Sequence, residues 1–95
     1  MPKAYWIAHV TVTEPDPYAL YAKGATEAFA AHGARVLARG GRIEALEGEG
    51  RPRNVVIEFD SMEAALACYR SPEYQAARAH RLGAGDAQIM ILEGV

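Results

Sequence analysis

The apolar positions change period along the chain, and the changes mark out its elements. Residues 3–12, Lys-Ala-Tyr-Trp-Ile-Ala-His-Val-Thr-Val, are rich in aromatic and β-branched types and read as a first strand. Pro15-Asp16-Pro17 ends it, with Asp16 expected as N-cap and Pro17 at the first helical position. Tyr18, Tyr21, Ala25, Ala28 and Phe29 then recur at helical spacing to about His32, and Gly33 is placed to stop the helix. Residues 34–39 read as a second strand, followed by a bulge or kink at Gly40-Gly41. Residues 42–47 look extended again, 48–53 form a turn, and 54–60 form a third strand. Asp60 or Ser61 caps the next helix, with Glu63 completing a capping box from Asp60. Its apolar stripe is Met62, Ala65, Leu66 and Tyr69. Ser71-Pro72-Glu73 is a fresh cap, so this helix breaks and restarts over Pro72 to about Arg81. A loop at 83–86 leads to a fourth strand over 87–93.

The order βαββαβ predicts an α+β fold of the ferredoxin-like kind, an antiparallel sheet with its helices on one face. A right-handed crossover in each βαβ half puts both helices on the same side of the sheet. Alternation then divides the strands into two sets. Trp6, Ala8, Val10, Val12, Val36, Ala38, Val55, Ile57, Phe59, Ile89 and Ile91 contain no charge and are assigned to the helices. The opposite set holds Tyr5, Ile7, His9, Thr11, Arg35, Leu37, Arg39, Asn54, Val56, Glu58, Gln88, Met90 and Leu92. That face is too apolar to stay in water. With no third layer in the sequence, the expected cover is a second copy, sheet against sheet about a two-fold axis.

Composition narrows the classes. Ninety-five residues, 51% hydrophobic and 23% charged, suit a single domain over 1–95. A net charge of −2 and a pI of 5.9 speak against nucleic acid as a partner. No apolar run is long enough for a membrane span, and the first residues lack the apolar stretch of an export leader. With one cysteine, Cys68, a reducing cytoplasm is the expected compartment. Cys68 sits among apolar helical residues and reads as a small buried hydrophobe.

Several segments together resemble a known family. They are Tyr5-Trp6-Ile7-Ala8, Leu37-Ala38-Arg39-Gly40-Gly41, Val56-Ile57-Glu58-Phe59, Ala64-Ala65, Tyr69-Arg70-Ser71-Pro72-Glu73-Tyr74 and Leu92-Glu93-Gly94-Val95. In order and spacing they are similar to the domain of unknown function 1330 (DUF1330) family, across essentially the whole chain. The resemblance implies a ferredoxin-like fold of the dimeric α/β-barrel group. It implies no activity. The wider group holds cofactor-independent monooxygenases, isomerases, dehydratases and haem enzymes, so fold kinship leaves the chemistry open. His9 departs from the arginine or other polar residue expected at its position, and Cys68 from the usual tryptophan.

The candidate chemistry lies on the mixed face. Arg39 and Glu58 share it by parity, either as a structural ion pair or as a site in which Arg39 holds an anion and Glu58 is the general base. His9 on the same face is a second candidate for acid–base work or a merely hydrogen-bonded histidine. Tyr5 completes the candidate set as a ligand contact. No zinc-type spacing, phosphate-binding glycine loop or nucleophilic serine appears, so neither metal nor cofactor is expected. The expected function is binding of a small, partly apolar organic anion by a homodimer, with cofactor-free proton transfer as the accompanying chemistry. The alternative is a non-catalytic interaction module.

Overall fold

The structure, a computed structural model, describes residues 2–95; Met1, the first residue of the expected 1–95 domain, lies outside the described residues. The elements are β1 (Ala4–Val12), α1 (Pro15–Ala31), β2 (Arg35–Arg39), β3 (Arg53–Phe59), α2 (Met62–Arg70), α3 (Pro72–Arg81) and β4 (Gly85–Glu93). The four strands form one antiparallel sheet in the order β2-β3-β1-β4. This is the ferredoxin-like arrangement, with the second helix broken in two.

Helix α1 starts two residues earlier than expected. Its N-cap is Glu14, with no side-chain cap bond, and Asp16 lies in the first turn. Both prolines fit there because the first N–H groups of a helix lack intrahelical partners anyway. The carboxylate of Asp16 therefore faces the helix dipole instead of capping. At the other end Gly33 has φ +71. Ala34 N–H donates to the Phe29 carbonyl and Gly33 N–H to that of Ala30, a paired closure that needs the left-handed residue.

Ser61 caps α2 by accepting from Ala64 N–H at 3.1 Å, so the Asp60–Glu63 capping box does not form. Ser71 ends α2 and begins α3 at once. Its hydroxyl donates to the Cys68 carbonyl at 2.7 Å and accepts from Tyr74 N–H at 3.2 Å. Strand β4 begins at Gly85, two residues early.

The largest departure from expectation is in β2. Its pairing with β3 runs Arg35 with Glu58, Val36 with Ile57, then Ala38 with Val56 and Arg39 with Val55. Leu37 is the extra residue of a β-bulge. The bulge expected at Gly40-Gly41 is thus three residues earlier, and a residue inserted into one strand reverses the faces of everything after it. Ala38 moves to the open face and Arg39 to the helix face. Gly40, at φ +64, ends the strand, and the extended segment expected over 42–47 forms no strand.

The core forms between the helices and the middle of the sheet. Trp6, 1% exposed, is its centre. Its ring lies 5.0 Å from Tyr74, 5.1 Å from Phe29, 5.7 Å from Tyr69 and 6.1 Å from Phe59, centroid to centroid. Cys68 is fully buried, and burial, with a smaller effect from Glu73, raises its thiol to a pKa of about 11. It is the inert packing residue the sequence suggests. The helix-facing residues of β1 and β3 are buried or packed on this core, whereas Val36 on the short edge strand stays open.

Helices α1 and α3 meet at Gly24, where an added Cβ would stand 2.8 Å from the Cβ of Ala77. Alanine usually favours a helix over glycine by about 1 kcal/mol. Here the contact dominates, since forcing a methyl into a filled site costs roughly 1–3 kcal/mol. Gly24→Ala should therefore lower the thermal midpoint. A higher midpoint would mean the two helices are not in this contact.

Candidate functional site

The residues singled out from the sequence fall into three places. Tyr5 and Glu58 are direct cross-strand partners on the open face, and the Tyr5 hydroxyl donates to Glu58 Oε2 at 3.4 Å. The cation beside them is Arg35, not Arg39. Arg35 Nε donates to Glu58 Oε1 at 2.6 Å, and Nη2 donates to Asp60 at 2.8 Å. The Arg35 hydrogen bond is the chief reason the Glu58 carboxyl lies below its ordinary range, and it lowers Asp60 in the same way. A carboxylate held ionised like this is a weak proton acceptor.

His9 lies four residues along β1 from Tyr5 and pairs with Asn54. That is roughly 13 Å away along the strand. Asn54 turns its amide nitrogen to the Arg51 carbonyl at 2.8 Å, so its oxygen faces His9. The Nδ1–H of His9 donates to that oxygen at 2.6 Å. Among the described residues no three His, Cys, Asp or Glu side chains converge as a metal site would require.

Arg39 is on the other side of the sheet. The bulge delivers it opposite Val55, into a cleft between α1 and the β2–β3 edge. Arg53, paired with Val10, enters the same cleft. Sequence reasoning left Arg53 in the preceding turn. Its signal was parity, because 53, 55, 57 and 59 fall on one face once the strand extends back by one residue. The guanidinium of Arg53 lies 5.5 Å from the centroid of the Tyr18 ring, and its Nε is buried without a hydrogen-bond partner.

The cleft is narrow and opens to solvent, with apolar walls from Trp6, Tyr18, Phe29, Val36, Val55 and Ile57. No carboxylate among the described residues is within 4.0 Å of Arg39 or Arg53. No acid or histidine lines the cleft. Two cations over an apolar floor can hold an anionic head group while its body stacks on the aromatic wall. A proton acceptor is missing from that wall, and Tyr21, the hydroxyl nearest to such a role, has its pKa raised chiefly by burial.

The opposite, open face carries an apolar row. The register sets Val56, Ile7 and Met90 side by side across β3, β1 and β4. Met90 is 51% exposed, Leu92 59% and Leu37 55%, and no element among the described residues covers them.

Comparison with known proteins agrees with this architecture. The family described as "Domain of unknown function (DUF1330)" matches residues 3–95. Among solved structures, a protein of unknown function from Rhodopseudomonas palustris is 23% identical, with a TM-score of 0.78 over 99% of this chain and 83% of that one. A dimeric ferredoxin-like protein of unknown function from Thermobifida fusca is 17% identical, with a TM-score of 0.66 over 97% and 91%. SnoaB from Streptomyces nogalater, a cofactor-independent oxygenase, is 10% identical, with a TM-score of 0.66 over 97% and 92%. At these identities the likeness is one of fold. No curated protein matches the chain.

Proposed function

The chain belongs to the DUF1330 family, and within it we propose that this protein is a homodimer that binds a small, partly apolar organic anion between α1 and the sheet. The observation that carries the reading is Arg39: an arginine turned by the Leu37 bulge into an apolar cleft, beside Arg53, with no acid to neutralise either among the described residues. Arg53 is half-buried with its Nε unpartnered, and such a charge is costly unless paired, so an anion reached also by the more exposed Arg39 supplies the missing partner.

In this reading Tyr5 and Glu58 belong to the Arg35 network that ties β2 to the sheet, and His9 to the Asn54 pair. Binding is favoured over proton transfer because the cleft walls hold neither a carboxylate nor an imidazole. The homodimer rests on the apolar row of the open face. The Thermobifida fusca relative, described as dimeric, adds support.

Thermal shift with 1-naphthoate and with its uncharged alcohol analogue tests the proposal. The carboxylate should raise the midpoint of the wild type and the alcohol should not. Arg39→Ala should weaken binding by roughly 10- to 100-fold, the loss of one charge-assisted pair. Arg39 is exposed, so the variant keeps its fold. An equal shift in Arg39→Ala would mean the anion binds elsewhere.

A further inference from the structure

The sheet's other edge carries a second groove, independent of the α1 cleft. β4 is an edge strand, and its helix-facing residues Ala87, Ile89 and Ile91 remain only half-buried. Their β1 partners Val10, Ala8 and Trp6 are at most 5% exposed. The helix layer therefore stops short of β4. Leu66 and Tyr69 of α2 and Arg78 and Arg81 of α3 wall the strip that is left, a groove open to solvent.

The two arginines are unusual in their surroundings. Arg81 is 8% exposed, yet forms no ion pair among the described residues. Its guanidinium stacks on the Tyr21 ring at 5.1 Å. Arg78, one turn earlier on the same helix face, makes no ion pair there either. The Nε atoms of both are buried without hydrogen-bond partners. Arginine is rarely this buried unless paired. No aspartate or glutamate lines the groove. Stacking on Tyr21 accounts for where Arg81 rests, but it leaves both charges unmatched.

We propose that this groove binds a carboxylate with an unbranched apolar tail, its head group held by Arg78 and Arg81 and its tail laid along Ile89 and Ile91 towards Leu66. The charge calls for an anion, and a planar carboxylate suits paired guanidinium donors. The strip from Ala87 to Ile91 is roughly 13 Å long, which suits a medium-length chain.

The test is a titration of methyl-labelled protein with octanoate, and separately with 1-octanol, followed at the methyl resonances of Leu66, Ile89 and Ile91. Octanoate should give saturable shifts at these three residues, and octanol should bind at least about tenfold more weakly. Arg78→Ala should weaken octanoate by a similar factor, and Arg78→Lys should restore part of the loss. Arg78 is used because Arg81 packs on Tyr21 and its removal would disturb the core. Arg39→Ala should leave these shifts unchanged, which separates this groove from the α1 cleft. No shift at millimolar octanoate, equal binding of octanol, or an unaltered affinity in Arg78→Ala would each overturn the proposal.

Discussion

Trp6→Ala should remove a large part of the protein's stability at 25 °C. Trp6 is 1% exposed and touches four aromatic rings drawn from α1, β3, α2 and α3, so its removal opens a void that all three helices border. Truncating a buried tryptophan costs roughly 3–5 kcal/mol. A domain of this length has only about 5–14 kcal/mol in all. Urea unfolding followed by circular dichroism should show the midpoint falling by a third or more, with Trp6→Phe intermediate because it keeps part of the ring cluster. A loss below about 1 kcal/mol would be the ordinary effect of a surface change and would remove Trp6 from the centre of the core.

The second large effect concerns the open face. Ile7 lies in the middle of the Val56–Ile7–Met90 row, so a two-fold pairing of sheets puts it and its symmetry mate near the centre of the interface. Ile7→Glu would bury two like charges there without partners. An uncompensated buried charge costs roughly 3–5 kcal/mol, so the association constant should fall by about three orders of magnitude or more. The isolated protomer tolerates the change because Ile7 is only half-buried within it. Sedimentation equilibrium should find the wild type dimeric at low micromolar concentration and Ile7→Glu monomeric but folded. A wild type that remains monomeric under those conditions would leave the apolar row without its proposed cover.

Much of the architecture was legible in the residues. Ser71-Pro72 announced the broken helix, and Gly33 announced the end of α1, because capping and left-handed backbone each demand particular side chains. The β1, β3 and β4 faces followed from simple alternation. The candidate site was legible only in part. Alternation puts Arg39 on the open face, whereas it lies on the helix face, since the bulge lies at Leu37, a residue with no turn chemistry of its own. Glycines at 40 and 41 drew the expectation to themselves, although Gly40 ends the strand. One inserted residue took Arg39 off the open face and left Arg35, already assigned there, as the partner of Glu58, while Tyr5, His9 and Glu58 kept their face. Likewise Asp16 lost its capping role because two prolines both fit the first turn, and local preference could not choose between them.

We place the anion site on the helix side of the sheet, where the Leu37 bulge turns Arg39. Methyl-resolved NMR during a titration with 1-naphthoate tests it most directly. Saturable shifts are expected at Val36, Val55 and Ile57, which line the cleft. Shifts confined to Ile7, Val56 and Met90 would contradict it, since those residues share the opposite face.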